Sequence, residues 1–353
     1  MKNLVLPLVN TYARSHSSGW KAKCVDRRSA VGLGIAASIA VALKANLASA
    51  QQSYPDRPIK LVVPFPPGGV NDAVGRPWAE RMRSLLGTVV IENLGGAGGA
   101  IGAATVAKAR PDGYTLLLSN QGILVVTPIA SKRPTYDPLK DFEPIFLLAL
   151  SSVGFVVHPE APFQTLTEVV AFAKANPGKL SYASAGVGTG NHLIGELFKS
   201  LTGTPDIVHV PYRGAGPELN DLVGGQIQLG TVVVTGQVLE LHRAQKLRLL
   251  VVTSNERLTA APDIPTAKEA GFPDLVLQGF HGVFAPGGTP APIIARIAEA
   301  TRVAMADREL QRFFVSSGLE PQPYSTPENA RSTLHNEIAR WEPVIKSIGL
   351  RWE

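Results

Sequence analysis

From Gln51 onward the chain alternates short apolar runs with amphipathic segments, the pattern that an α/β fold leaves in a sequence. The apolar runs predict strands at Ile59–Val63, Val89–Glu92, Thr115–Leu118, Val153–Val157, Ser181–Ala183, Ile207–Val210, Gln228–Val232, Leu247–Thr253 and Gly282–Ala285. Helix starts are marked as clearly. Thr165-Leu166-Thr167-Glu168 and Thr266-Ala267-Lys268-Glu269 read as capping boxes, and Thr289-Pro290 and Thr326-Pro327 each put an N-cap before a proline. The last helix carries Ala330, Leu334, Ile338, Trp341, Ile345 and Ile348 on one side, with Pro343 placed to kink it.

Two apolar stretches say how these elements group. Phe142 to Val157 is a long apolar run broken by Ser151, Ser152 and Gly154, and Leu247 to Thr253 is a second such run. Strands that cross between two lobes read this way. The expectation is one lobe from residues 51–152 plus 251–353 and a second lobe from 153–250, with a ligand cleft between them outside the carboxyl ends of the strands.

Two glycine-rich strand-to-helix turns carry the candidate chemistry. The first is Pro64-Phe65-Pro66-Pro67-Gly68-Gly69-Val70-Asn71-Asp72, after Ile59 to Val63. The second is Ser184-Ala185-Gly186-Val187-Gly188-Thr189-Gly190-Asn191-His192, after Leu180 to Ala183. Each lets bare backbone approach something small and opens a helix, where free N–H groups and the positive end of the dipole seat an anion. Two seats with no nucleophile or metal cluster between them point to a protein that grips a small acid without transforming it.

Individual residues keep more than one reading. Asp72 can serve as a first-turn helix charge, an N-cap, or a carboxylate facing the ligand. Ala185, Gly186, Gly188 and Thr189 are read as ligand contacts, whereas His192 is read first as satisfied within its own lobe and second as a contact. Ser119-Asn120-Gln121-Gly122 closes a strand with polar groups at the cleft end. Arg213, in the turn Pro211 to Gly216, would supply either a cation to the site or a salt bridge. Gly95 to Gly102 is read mainly as close backbone packing.

The first fifty residues change the charge argument. Lys21, Lys23, Arg27 and Arg28 precede an uncharged, mostly apolar stretch from Ser29 to Leu43 and then Ala48-Ser49-Ala50, the order of a cleaved export signal. Of the 34 basic and 28 acidic residues, seven basic and one acidic fall before Gln51. The remainder is formally neutral, so the basic balance of the whole chain is no argument for nucleic acid. Cys24, the only cysteine, also lies in that leader, which leaves no disulfide or thiolate chemistry for the mature part.

Common catalytic routes are missing from the sequence. There is no P-loop, Gly186-Val187-Gly188 meets Asn191 where a dinucleotide fingerprint needs glycine, and no Gly-x-Ser-x-Gly elbow occurs. The histidines after the leader, 158, 192, 209, 242, 281 and 335, show no metal-ligand spacing. No cofactor or metal is expected.

A set of short motifs in fixed order resembles the tripartite tricarboxylate transporter solute-binding receptors, the Bug family. It runs through Tyr54-Pro55, Val63-Pro64-Phe65, Pro67-Gly68-Gly69 with Asp72 and Arg76, Glu92-Asn93 and Pro111-Asp112-Gly113-Tyr114. It continues with Tyr182-Ala183-Ser184-Ala185-Gly186, Gly188-Thr189, His192-Leu193, Val210-Pro211-Tyr212, Pro286-Gly287-Gly288-Thr289-Pro290, and Glu337 with Trp341. The resemblance implies a two-lobed fold similar to type II periplasmic binding proteins and a receptor that binds carboxylates through backbone N–H groups, waters and hydroxyls. It implies ligand contacts from Pro67, Gly68, Gly69 and Asp72 in one loop and from Ala185, Gly186, Gly188, Thr189 and His192 in the other, with a small organic carboxylate and membrane permease subunits as partners.

Three departures bear on specificity. Leu94-Gly95 stands where the family often has Arg-Pro, and Phe280-His281 where tryptophan is common. An acidic residue often found near Val233 is absent, leaving Thr235 or Gln237 to take its place. The expectation is therefore an exported periplasmic receptor, monomeric and not an enzyme, with its signal cleaved after Ala50. The alternatives are a ligand sensor for a signalling system and a periplasmic enzyme using Asp72 and His192.

Overall fold

The computed structural model describes residues Tyr54–Arg351; the export signal expected at 1–50, with Cys24, lies outside them. Among the described residues no helix is long and apolar enough to cross a membrane.

Strands β1 (Ile59–Val63), β2 (Val89–Asn93) and β3 (Thr115–Asn120) are parallel, and β9 (Gln278–Pro286) runs antiparallel between β3 and the 16-residue β4 (Phe142–Val157). Past Ser152 the same strand β4 changes partners. Val153–Val157 pair with β7 (Leu229–Val233), and beyond β7 lie β5 (Ser181–Ser184) and β6 (Val208–Pro211), both parallel to it. On the other side of that half of β4 runs β8 (Arg248–Val252). The long apolar run thus joins two sheets, one on each lobe.

Helices cover both faces of the sheets: α1 (Val70–Met82), α2 (Ala100–Ala107), α3 (Thr127–Ala130), α4 (Leu166–Ala175), α5 (Gly190–Thr202), α6 (Ala215–Val223), α7 (Gly236–Arg243), α8 (Ala291–Met305), α9 (Arg308–Ser316) and α10 (Pro327–Ser347). The last strand, β10 (Leu319–Pro321), pairs with β4. Burial on both faces is why the central strands read as unbroken apolar runs. In β3, Leu116 and Leu118 enter the core shared with Val74, Trp78 and Met82 of α1, whereas Leu117 enters the opposite core with Val106 and Phe284.

The helix signals held with two physical exceptions. Thr165 caps α4 and Thr326 caps α10 in a box closed by Asn329. Thr266 and Glu269 form both bonds of a box, Glu269 N–H to Thr266 Oγ1 at 3.1 Å and Thr266 N–H to Glu269 Oε2 at 2.7 Å. Only a turn follows, because Gly271 turns left-handed at φ +93° and Pro273 then forbids continuation. Thr289 bonds back to the carbonyl of Pro286, so α8 is capped one residue later, at Pro290. Helix α10 continues through Pro343 to Ser347.

The crossing is tied by hydrogen bonds. The Thr253 hydroxyl lies 3.0 Å from the Val153 carbonyl and 2.8 Å from that of Leu277, and Val234 N–H donates to Ser152 O at 2.9 Å. Gly236 N–H donates to Ser317 O, which fixes the start of α7 against the turn after α9.

Candidate functional site

The strand registers bring the two glycine turns to one place. Asn120, at the carboxyl end of β3, pairs with His281, and Ser151 pairs with Gly279, so the loop after β1 opens beside residues 151–152 of β4. In the other lobe Ala183 pairs with Gly230, and Val233 pairs with Val153. The loop after β5 therefore opens toward residue 153 of that same strand. Both turns flank the point where β4 passes from sheet to sheet.

In the first loop Gly68 takes φ +90°, a conformation open to glycine. Its N–H donates to Asp72 Oδ2 at 3.1 Å, which also accepts from Arg76 Nε at 2.6 Å, while Asp72 Oδ1 accepts from Asn93 at 3.2 Å. Burial alone would raise the Asp72 carboxyl, but the bonds from Arg76, Gly68 and Asn93 outweigh it and hold it below the usual carboxylate range. Asp72 thus braces the loop. Among the described residues the backbone N–H groups of Val70, Asn71 and Asp72 have no acceptor, as expected in the first turn of a helix. Pro66 packs beside Gly95, and Gly102 lies against Pro64, which is the close packing read from that glycine-dense segment.

The second loop is braced in the same manner. Thr189 caps α5 by accepting from His192 N–H at 3.2 Å and donates to Gly186 O at 2.8 Å. Gly188 N–H donates to His192 Nδ1 at 3.2 Å, so the neutral ring carries its proton on Nε2. Asn191 Nδ2 donates to Thr231 O and the Thr231 hydroxyl returns to Asn191 O, locking α5 onto β7. The N–H groups of Gly190 and Asn191 have no acceptor among the described residues.

Behind this loop the fold gathers residues far apart in sequence. His192 and His209 stack with ring centroids 4.0 Å apart, Tyr182 stacks on His209, and Glu196 accepts from the Tyr182 hydroxyl and pairs with Lys199. Burial lowers both histidines, His209 to about 4 with help from its neighbour His192. His192, Glu196 and His209 bring ligand-type atoms within 4.8 Å of one another, a grouping that sequence spacing did not disclose. The imidazole planes are parallel to within 8°, so one ion cannot lie in both ring planes, where the nitrogen lone pairs point. The group is a hydrogen-bonded stack that supports the loop.

Other candidates separate. Thr235 caps α7 through Val238 N–H, and its neighbour Gly236 docks on Ser317, while Gln237 is exposed. Asn120 reaches Asn71 and accepts from Ile123 N–H, and Gln121 turns to Glu337 of α10, which Trp341 also meets. Arg213 is exposed and makes no ion pair or hydrogen bond among the described residues.

Among the described residues the buried side-chain atoms without a partner are Asn71 Nδ2, Ser119 Oγ and both oxygens of Glu218. Asn71 and Glu218 stand in the first turns of α1 and α6, and Ser119 near the end of β3. All three belong to the carboxyl ends of the strands. Sequence reading passed over Asn71 and Glu218. A buried polar residue at the second helical position is the signal that would have found Asn71. Two hollows, of about 140 and 680 Å³, are lined by other residues such as Lys174 and Tyr324, and none of the loop residues borders them.

Comparison with known proteins now decides the class. The family described as "Tripartite tricarboxylate transporter family receptor" matches residues 74–350. The chain belongs to that family. Its members are solute-binding receptors, not enzymes. Protein BugT of Bordetella pertussis is 35% identical over 302 residues, covering 85% of this chain and 91% of the relative. MatC from Rhodopseudomonas palustris, solved with bound malate, superposes with a TM-score of 0.74 at 32% identity, covering 83% of this chain and all of that one. A second R. palustris protein, solved with adipate, gives 0.76 at 32% identity over 84% of this chain and 99% of its own.

Proposed function

We propose that this receptor captures a small organic carboxylate, most readily a dicarboxylate, in a cleft between its lobes and delivers it to membrane permease subunits. The observation that carries the reading is the convergence of two helix N-termini, each with unmet N–H groups, on the crossing of β4. An acid group bridging them gains donors from both lobes, whereas one lobe alone offers half. The loop carboxylate, Asp72, is held by Arg76, so it need not repel an anion at close range. Malate in one relative and adipate in another are ligands of this chemistry.

Residues 1–50 are taken as the export signal, which puts the mature receptor in the periplasm; we propose that it works there as a monomer. The lobes move about the crossings near Ser152–Val153 and Val252–Thr253. Hydrogen bonds to a charged acceptor contribute about 1.5–3 kcal/mol each, and several of them support micromolar binding, about −8 kcal/mol, after association costs.

Thermal-shift and calorimetric titration of the purified mature protein against C3–C6 mono- and dicarboxylates, amino acids and phosphate esters tests this. The expected result is selective stabilisation by a carboxylate recovered unchanged, about 2.7 kcal/mol at a ligand concentration of 100 Kd. Turnover of the ligand, or stabilisation by phosphate esters alone, would overturn it.

A further inference from the structure

A chain of hydrogen bonds in the first lobe fixes the direction of one side-chain amide. It starts from a group whose polarity is certain, the backbone N–H of Ile123, which donates to Asn120 Oδ1 at 3.1 Å. The other end of that amide, Asn120 Nδ2, is therefore a donor, and it faces Asn71 Oδ1 at 3.4 Å. Asn71 Oδ1 is also 2.7 Å from His281 Nδ1. An amide oxygen only accepts, so His281 must hold its proton on Nδ1. Its Nε2 then accepts from the Ser151 hydroxyl at 3.0 Å.

Both acceptor positions of the Asn71 oxygen are thus filled, and its Nδ2 is left with no partner although the residue is only 2% exposed. A buried amide N–H₂ left unmet is costly. It lies in the same turn as the unmet backbone N–H groups of Val70, Asn71 and Asp72. His281 itself is wholly buried and neutral, its pKa lowered by burial to about 4, so it contributes a directed donor and no charge.

We propose that Asn71 Nδ2 is a side-chain donor to the bound carboxylate in the first lobe, and that His281 is the positioning residue that aims it. This rests on the carboxylate-receptor reading above. Ser151 sits one residue from the strand crossing, so the same chain connects the ligand seat to the strand that links the lobes. Because His281 is buried and both its ring nitrogens are taken up by Asn71 and Ser151, it acts on the ligand only through Asn71.

The test is calorimetric titration with the tightest carboxylate found for the wild type, together with thermal melts. Asn71→Ala should weaken binding about 10- to 100-fold, the worth of one hydrogen bond to a charged acceptor. Asn71→Asp keeps an acceptor for His281 and Asn120 but replaces the donor by an anion, and should weaken binding still further without loss of folding. His281→Phe should weaken binding nearly as much as Asn71→Ala, and the double variant should be no weaker than Asn71→Ala alone. His281→Asn puts an amide donor where Nδ1 stood and should restore affinity to within about threefold of wild type. Wild-type affinity in Asn71→Ala and Asn71→Asp, or additive losses in the double variant, would overturn the proposal while leaving the receptor reading in place. Failure of every carboxylate to bind the wild type would instead bring down both.

Discussion

The rings of His192 and His209 lie face to face, 4.0 Å between centroids and 8° from parallel, although 16 residues separate them in the chain. His192 holds Gly188 N–H from one side of the stack, and His209 holds the Ser184 hydroxyl from the other at 2.7 Å. The loop after β5 is therefore built on two neutral imidazoles, and its integrity depends on their staying neutral.

Acid should loosen the fold through these rings and through His281. His209 and His281 titrate at about 4 in the folded protein against 6.5 when exposed. Between those values the unfolded chain binds more protons than the folded one. Their contribution is fully present above pH 6.5 and is lost as pH falls through 4, at most roughly 3 kcal/mol per ring. Thermal melts from pH 7.5 to 4 should show a falling midpoint, with a shallower fall in His281→Asn. A flat profile would contradict the burial assigned to both rings.

Glu218 should produce the opposite trend at high pH. Its carboxyl is wholly buried with both oxygens unpartnered, and burial raises its pKa to about 8. The folded state holds a proton that the unfolded chain releases above 4.5, so stability is complete below 4.5 and declines as pH rises through 8. Glu218→Gln should remove that decline and exceed the wild type in midpoint at pH 9. Parallel curves for the two proteins from pH 6 to 9 would refute the assignment.

Gly188 takes φ +83° while its N–H reaches His192. A β-branched residue is strained there by about 1–2 kcal/mol. Gly188→Val should keep its far-ultraviolet circular dichroism, lose only a modest part of its melting temperature, and lose measurable carboxylate binding. Retained affinity would mean that the second loop is not a ligand seat.

Thr253 joins three segments at the crossing, with its hydroxyl set between the carbonyls of Val153 and Leu277. Thr253→Val keeps the shape and leaves those carbonyls unmet by the side chain. Urea unfolding should register a loss of about 1–2 kcal/mol with an unchanged m-value. A loss below about 0.3 kcal/mol would show that the bond contributes nothing net.

Much of the fold is legible in the sequence. The strands at Ile59, Thr115, Ser181 and Leu229 follow from apolar runs whose two faces are both covered, and the caps at Thr165 and Thr326 from local hydrogen bonding alone. Strand β10 was not read, because three residues, Leu-Glu-Pro, are too short to show a period. Asp72 keeps three readings in sequence; the structure sets it in the first helical turn and adds a bracing role that none of the three named, with Gly68, Arg76 and Asn93 all bonded to its carboxylate.

The alternation of strands and helices, the two glycine turns and the formal neutrality of the chain beyond residue 50 can be read from the residues alone. These depend on neighbours within a few residues or on counting, and no distant contact can alter them. Which polar groups are consumed and which are left over depends on contacts made only in the folded molecule. Asn71 with His281, and His192 with His209, meet across separate strands and helices. Their proton positions follow from partners that no spacing along the chain could name.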